Sequence, residues 1–225
     1  MKLLIFDTET TGLPKSRKPS IEGPNNWPHI VSISWVILDS ISNKIEKERS
    51  YIVKPEGWVI PDDSIRIHKI TNDIAEKDGV SLSKVLGEFL AETYDALVAH
   101  NMEFDYNVLD NAIRWDLDMA FNEIRKPKMC TMELSRDLCN LKSQFGKPKS
   151  PRLSELYQHA FGSAPAMDTL HNSLVDTKLL VKIIQEHKPI RVKMNLEAAE
   201  QERVNRNVRQ KTDSGVLSIR LGESD

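Results

Sequence analysis

The hydrophobic pattern near the amino terminus predicts a β-sheet. The unbroken apolar run Leu3–Phe6 is typical of a central strand that is buried on both faces. Two later segments, Ile30–Leu38 and Arg49–Val53, are rich in Val, Ile and aromatic residues, and they predict two further strands in an antiparallel meander after the first. A shorter apolar segment, Ala96–Asn101, predicts one more strand.

Helical periodicity appears in the segments between and after these strands. Ser81–Leu97 predicts a helix because its apolar residues recur three and four positions apart. Leu153–Phe161 predicts a second helix, with Gly162 at the position where a helix is expected to stop. The second half of the chain is predicted to be mostly helical. The pattern by itself therefore predicts an α/β fold and nothing more specific.

Two carboxylates directly follow the first apolar run. Asp7 and Glu9 are two residues apart, so on a strand they lie on one face, about 6.6 Å apart along it. Thr10–Gly12 are expected to turn the chain at the carboxyl end of this strand, where open α/β sheets bind ligands. Because hard cations prefer oxygen ligands, we expect a site for Mg²⁺ or Mn²⁺ here. The alternative is an acidic surface loop.

A third carboxylate, Asp105, follows the strand predicted for Ala96–Asn101. The apolar spacing becomes helical at this point, and we expect Asp105 to start the helix. The partial positive charge at a helix amino terminus favours an anion there. An isolated Asp at a helix start is more often a cap than a metal ligand, so on this segment alone both interpretations stay open.

A histidine and a fourth carboxylate precede and enter another amphipathic helix. His171 and Asp176 are five residues apart, which corresponds to about 140° on a continuous helix. Both reach one site only if His171 lies on the loop before the helix. Because a histidine on a loop beside carboxylates can change its protonation state, this position suits a general base better than a fixed metal ligand. The alternative is a helix-capping His with an unrelated Asp.

The length and composition fit one domain with a tail. The chain has 225 residues, of which 40% are hydrophobic, and we expect a domain over 1–188 followed by a charged tail over 189–225, either disordered or docking on a partner. No apolar run approaches the roughly 20 residues of a membrane span, so we expect a cytoplasmic protein without membrane contact. The two cysteines, Cys130 and Cys139, are expected to be reduced.

The formal charge of −2 argues weakly against nucleic-acid binding. Two divalent cations on the four carboxylates would change this sum to −2 + 4 = +2 and make the site attract phosphate. Short basic clusters either follow a phosphate backbone or are simply solvated loops. They are Lys15, Arg17 and Lys18, and then Lys142, Lys147, Lys149 and Arg152.

Taken together, the segments resemble a known family. Phe6–Gly12, then His100 to Asp105, then His171 with Asp176, are similar in kind and order to the three motifs of the DnaQ-like DEDDh 3′-to-5′ exonucleases. Ile67–Thr71 resembles a secondary His-x-Ile-Thr element of that family. The third motif departs mildly from the family pattern at the position two residues after the histidine. Members often carry a small residue there, and this chain has Ser173. The resemblance covers about residues 3 to 187 and implies a ribonuclease H-like fold, an α/β mixed central sheet flanked by helices.

The resemblance also implies an activity and a role for each motif residue. The expected reaction is hydrolysis of nucleic acid, with DNA favoured, from a free 3′ end to nucleoside 5′-monophosphates, with two Mg²⁺ ions for which Mn²⁺ can substitute. The implied metal ligands are Asp7, Glu9, Asp105 and Asp176, and His171 is the implied base. The implied substrate-binding residues are Thr10, Thr11, Leu13, His68, Asn101 and Phe104, although a Phe at a helix start is often a core residue.

Three alternatives remain at this stage. The enzyme could act on RNA, because none of the motifs recognises the 2′-hydroxyl. The chain could instead be a non-enzymatic module that binds a polymerase or nucleic acid, although none of the five motif residues is replaced. A role as a polymerase proofreading subunit is implied only by the tail. In the family, the proofreading subunit of a bacterial replicative polymerase carries a carboxy-terminal tail that binds the DNA polymerase. The tail of this chain carries no motif that identifies a partner.

Overall fold

The central element of the fold is one five-stranded mixed sheet. The computed structural model describes residues 1–16, 23–24, 26–120, 124–165 and 171–197. The strands are β1 (Lys2–Thr10), β2 (Ile30–Asp39), β3 (Lys44–Ile52), β4 (Ala96–Ala99) and β5 (Lys128–Cys130). They are ordered β3-β2-β1-β4-β5, with β1 antiparallel to β2 and parallel to β4. The α/β mixed sheet expected from the family resemblance is confirmed.

Helices cover both faces of this sheet. A π-helical turn, Ala112–Asp116, continues the helix that follows β4. Among the described residues, none of the helices combines the length and apolar character needed to cross a membrane. The helices are α1 (Asp62–His68), α2 (Asn72–Asp78), α3 (Leu82–Leu90), α4 (Met102–Asn111), α5 (Thr131–Leu134), α6 (Arg136–Cys139), α7 (Leu153–Phe161), α8 (Ser173–Glu186) and α9 (Lys188–Lys193).

Several predicted boundaries were wrong for identifiable reasons. The helix predicted over Ser81–Leu97 ends at Leu90, because the apolar residues from Ala96 onward pair with β1 in a parallel register. Strand β3 begins at Lys44 rather than at Arg49, since its mostly exposed first half is charged and lacks an apolar pattern. Strand β5 was missed because it has only three residues.

Alternate residues of β1 contribute to two separate cores. Leu4 and Phe6 pack into the cluster that contains α3 and α4, where the Phe6 and Phe89 rings lie 5.3 Å apart. Leu3 and Ile5 face the opposite cluster, formed with α7, α8 and α9. Because β1 is central and buried on both sides, the position and direction of its carboxyl end are fixed by both cores.

The predicted boundary at residue 188 falls inside one of these cores. Ile190, Met194 and Leu196 are at most 2% exposed and pack into the cluster with α8. The guanidinium of Arg191 donates to the Ser40 and Ile184 carbonyls at 3.1 and 3.3 Å and forms an ion pair with Glu197 at 2.9 Å. The folded domain therefore extends to at least Glu197. The rest of the predicted tail, 198–225, lies outside the described residues.

We predict that truncation after Glu197 leaves thermal stability nearly unchanged, whereas truncation after His187 destabilises the domain severely. The shorter chain loses three buried side chains, each contributing about 1.5 to 3 kcal/mol, and a whole domain is stable by only about 5 to 15 kcal/mol. Circular dichroism during urea and thermal unfolding measures both truncates against the full chain. Equal midpoints for the two truncates would contradict the assignment of Lys188–Glu197 to the domain.

Candidate active site

Three carboxylates converge at the carboxyl end of β1. Asp7 and Glu9 lie two residues apart on β1, and Asp176 approaches from the first turn of α8. One oxygen of each carboxylate lies within 4.8 Å of one from each of the others. Opposite Glu9, the pairing of β1 with β2 shifts by one residue, and Val31 is the extra residue of a β-bulge. Such bulges occur next to active sites because they redirect the strand end.

The start of α8 is attached to β2 by side-chain hydrogen bonds. The Asn172 side chain accepts from the backbone N–H groups of Leu174 and Val175 at 3.1 and 3.2 Å and caps the helix. The buried hydroxyl of Ser173 lies 3.0 Å from that of Ser32 and 2.8 Å from that of Ser34. Since β2 is paired with β1, these contacts fix the first turn of α8, and with it Asp176, relative to β1.

Asp105 lies behind the other three carboxylates. It belongs to the first turn of α4, which begins at Met102 and not at Asp105 as predicted, and it is 3% exposed. Its Oδ1 accepts from the backbone N–H of Thr8 at 3.1 Å and from the Thr8 hydroxyl at 2.8 Å. Asp105 is outside the group of three within 4.8 Å, but its charge raises the pKa of both Asp7 and Glu9, so it is part of the same cluster.

Burial and mutual repulsion keep these carboxyl groups protonated to unusually high pH. Burial, followed by the charges of its three neighbours, raises the pKa of Asp7 well above its usual range. The same causes raise the pKa of Glu9 to about 8. Burial raises the pKa of Asp105 to about 7 against the opposing hydrogen bonds from Thr8. Burial raises the pKa of Asp176 to about 6, and the backbone N–H and the charge of His171 oppose this rise.

The oxygen atoms of this cluster fit a divalent cation. Asp7 Oδ2 and Asp176 Oδ1 are buried and have no hydrogen-bond partner among the described residues. A buried, unpartnered carboxylate oxygen is costly, whereas a hard cation satisfies several such oxygens at once. Because the cation also removes the mutual repulsion of the carboxylates, these residues suit a group that carries two or more positive charges.

His171 lies off the helix, as the five-residue spacing predicted. Helix α8 begins at Ser173, and His171 is an exposed residue with a left-handed backbone φ of +63°. Its backbone N–H donates to Asp176 Oδ2 at 3.1 Å. A positive charge on the imidazole lowers the pKa of Asp176, so the ring is within electrostatic range of that carboxylate. The loop at 166–170 lies outside the described residues.

An apolar wall adjoins the carboxylates. A cavity of about 150 Å³ is lined by Leu13 and Trp27, which follow β1, and by Phe104 and its neighbours at the start of α4. Leu13 is 81% exposed, whereas Phe104 is partly buried and its ring lies 6.0 Å from that of Trp27. Phe104 therefore packs against the core and also lines the cavity, while its contact with substrate bases stays a prediction. Trp27 was not predicted, because a single Trp in an irregular segment carries no signal.

A family model for exonucleases, RNase T, matches residues 4–184, which include all four carboxylates and His171. The chain belongs to this exonuclease family. Its motifs are those of the DEDDh type, and it is a 3′-to-5′ exonuclease. Exonucleases of this type use divalent metal ions, and the cluster of Asp7, Glu9 and Asp176 fits such ions. None of the curated proteins matches the chain significantly.

Solved structures share the fold of this exonuclease. Exonuclease X in complex with 5′-overhanging duplex DNA is 25% identical with a TM-score of 0.52, and the match covers 84% of this chain and 99% of that one. The nuclease domain of 3′hExo, a DEDDh family member bound to rAMP, is 17% identical with a TM-score of 0.62, and the match covers 88% and 94%. E. coli Exonuclease I with a dA16 oligonucleotide is 13% identical with a TM-score of 0.63, and the exonuclease spans only 41% of it.

In this exonuclease, the two threonines after Glu9 form the turn that ends β1. The hydroxyl of Thr10, which is 9% exposed, donates to the Gly12 carbonyl at 2.7 Å. The Thr11 hydroxyl accepts from the His29 backbone N–H at 3.0 Å, and the Thr11 N–H donates to the His29 carbonyl at 3.0 Å. Gly12 has a φ of +145°, which disfavours any side chain. Both hydroxyls therefore shape the backbone of the cleft.

Two of the predicted substrate-binding residues occupy different environments. His68 is 5% exposed, and its Nδ1 accepts from the Ile70 N–H at 3.1 Å, while its contact with substrate stays a prediction. Desolvation lowers the pKa of His68, which keeps the buried ring neutral. Asn101 lines the cavity beside Phe104 and has a left-handed φ of +83°.

We predict that the metal-free exonuclease loses stability as the pH rises from about 6 to about 8. Carboxyl groups with a raised pKa bind more protons in the folded than in the unfolded state, so stability falls as they ionise. The pKa values of about 6, 7 and 8 for Asp176, Asp105 and Glu9 define this window. In EDTA the melting temperature should fall by about 5 °C or more over this pH range, because a loss of one kcal/mol lowers the melting temperature of a domain of this size by about 2 to 4 °C.

Asp7→Asn should flatten this dependence, because it removes the charge at the centre of the cluster. Asp73→Asn, on the exposed surface of α2, is the matched control and should keep it. Saturating Mg²⁺ should abolish the fall. A melting temperature in EDTA that stays constant or rises over this window would contradict the electrostatic description.

Proposed function

We propose that this exonuclease removes nucleotides one at a time from the 3′ end of DNA and releases nucleoside 5′-monophosphates. The observation that supports this most directly is the convergence of Asp7, Glu9 and Asp176 within 4.8 Å, with two buried oxygens that lack partners. These groups would hold two Mg²⁺ ions, for which Mn²⁺ can substitute. Asp7, Glu9 and Asp176 would supply ligands to these ions, and Asp105 would contribute to holding the second one.

The cations, when bound, activate the attacking water and stabilise the leaving 3′ oxygen. The protein contributes the position of the carboxylates, which are set by β1, α4 and α8. Thr8 holds Asp105 in place with two hydrogen bonds, so this side chain has little freedom to rotate. The two cores on either side of β1 supply the rigidity that a precise displacement geometry needs.

His171 acts as the general base in this proposal. Its side chain is exposed beside Asp176, and the bond from its backbone N–H to Asp176 Oδ2 places it at the mouth of the cluster. A neutral imidazole accepts the proton of the attacking water, and the exposed ring then returns that proton to solvent. No carboxylate of the cluster suits this role as well, since all of them are needed as ligands.

The 3′-terminal nucleotide would lie against the apolar wall. Leu13 and Phe104 are placed to pack on the terminal bases, and the backbone around Thr10, together with Glu9, would contact the 3′-hydroxyl. Thr11 and Asn101 support the shape of this cleft through the turn and the left-handed backbone described above. A wall of this kind contacts unpaired bases, so a single-stranded or frayed 3′ end is the favoured substrate.

The choice of DNA over RNA rests on one neighbour. Exonuclease X, solved with duplex DNA, is the more similar in sequence and is matched over 99% of its length. RNA remains the second candidate, because 3′hExo, solved with rAMP, shares the fold.

A role in polymerase proofreading would require a partner site on residues 198–225. Comparing polymerase binding by the full chain and by the truncate after Glu197 tests this role without altering the catalytic domain.

We predict that the enzyme digests single-stranded DNA and 3′-mismatched duplex faster than matched RNA in Mg²⁺, and that EDTA stops all digestion. Asp7→Asn and Asp176→Asn should reduce turnover by about 10³ or more while leaving a folded protein, because each removes a charged ligand from the cluster. Asp73→Asn should retain full activity. Labelled oligonucleotides of one sequence, resolved on gels, measure every case. Undiminished digestion in excess EDTA would refute the metal assignment, and faster RNA cleavage would reassign the substrate.

For His171→Ala, we predict that turnover falls by about 10² with little change in metal affinity. Steady-state rates of both proteins over a Mg²⁺ titration supply the measurement. Recovery of the variant's rate at high Mg²⁺ would show that His171 is a metal ligand instead.

A further inference from the structure

A second cavity lies beside the catalytic cleft and has no role in the mechanism above. It has a volume of about 220 Å³, and its walls include His29, Lys54, Trp58, Trp115 and Asp116. We call these five residues the aromatic pocket. A neighbouring cavity of about 230 Å³ shares His29 with the aromatic pocket and shares Leu13 and Trp27 with the cleft. The aromatic pocket is therefore continuous with the substrate-binding wall.

The rings of the aromatic pocket are held in a fixed arrangement. The His29 and Trp58 rings are stacked, with centroids 5.0 Å apart and an interplanar angle of 3°. His29 Nδ1 lies 3.0 Å from Asp116 Oδ2, and the backbone of His29 is bonded to Thr11 in the turn after Glu9. The stack is thus connected through His29 and Thr11 to the end of β1, the strand that carries Asp7 and Glu9.

The other wall of the aromatic pocket comes from the far end of α4, the helix that carries Asp105. Helix α4 widens into a π-helical turn, closed by the Leu117 N–H donating to the Ala112 carbonyl at 3.0 Å. This turn presents Trp115, which is 39% exposed, together with Asp116. π-Helical turns of this kind often mark functional sites. At 1.5 Å per residue, Trp115 lies about 15 Å along the helix axis from Asp105.

We propose that the aromatic pocket binds an unpaired nucleobase of the substrate strand, at a nucleotide some distance from the 3′ terminus. This proposal rests on the exonuclease function and adds a second point of contact with the same strand. Aromatic faces bind bases of any sequence by stacking, and the Asp116 carboxylate can accept hydrogen bonds from a base edge. The separation of about 15 Å from Asp105 is more than one nucleotide can span, so the terminal nucleotide itself does not reach the pocket.

The charges of the pocket favour a base over a phosphate group. Its single lysine, Lys54, is paired with Glu76 at 3.0 Å, whereas Glu56 and Asp116 both contribute negative charge. A phosphate would meet a net negative lining, but a neutral base would not. Because a base can enter only when it is unpaired, the pocket would select substrates that are single-stranded over several nucleotides, and not merely at a frayed end.

Single abasic substitutions along an oligonucleotide test the proposal. In the wild-type enzyme with Mg²⁺, one internal position should show a KM for removal of the 3′ nucleotide that rises about tenfold or more when its base is missing. Trp115→Ala should raise the KM of the intact oligonucleotide by a similar factor and become insensitive to the abasic site at that position. Trp115→Phe should keep most of the wild-type behaviour, because it retains a stacking face. Val59→Ala, an exposed neighbour of Trp58 outside the pocket, is the control.

Hydrolysis of a dinucleotide separates this proposal from the function on which it rests. A dinucleotide is too short to reach the pocket, so its turnover by Trp115→Ala should stay within about twofold of wild type. If no internal abasic position affects KM, or if Trp115→Ala remains as sensitive as wild type, the pocket does not bind a base. Failure of the wild type to hydrolyse either substrate would instead refute the exonuclease assignment.

Discussion

The repulsion among four buried carboxylates is the constraint on which the structure depends. Asp7, Glu9, Asp105 and Asp176 are brought together where burial alone would disfavour a single charge, and their raised pKa values express that cost. A metal-free protein retains protons on some of these groups, whereas two divalent cations would replace the protons and cancel the negative charge of the four carboxylates. The same feature that destabilises the empty cluster therefore creates its affinity for cations and, through them, for phosphate.

The rest of the fold holds these groups against their repulsion. β1 is the central strand, buried between two cores, so the carboxylates at its end cannot move apart by a shift of the strand. α8 is fixed to β2 by the hydroxyls of Ser173, Ser32 and Ser34, and Asp105 is held by Thr8. Helix α9, near the carboxyl end of the described residues, also supports the site, because it packs against α8.

The geometry of a single strand or a single helix was enough to predict those parts of the site that lie on one such element. The alternation of a strand placed Asp7 and Glu9 on one face, and helical geometry placed His171 off α8. What the sequence could not predict depends on pairing between distant segments, such as the serine contacts between α8 and β2 or the stack of His29 on Trp58. The helix predicted through Leu97 overlapped the strand predicted from Ala96, and the pairing of Ala96 and Leu97 with β1 decides between the two. The burial of His68 likewise needed the packed structure, because a His in a motif has no local sign of its depth.

Calorimetric titration of Mn²⁺ into the metal-free exonuclease at pH 7, in two buffers with different ionisation enthalpies, tests the central claim most directly. The buffer dependence of the heat counts the protons released on binding. Since the pKa values of Glu9 and Asp105 are about 8 and 7, the account predicts that about two ions bind per chain and that at least one proton is released. Binding without proton release, or no binding at all, would show that the carboxylates are not held protonated by burial and repulsion, and would contradict the account.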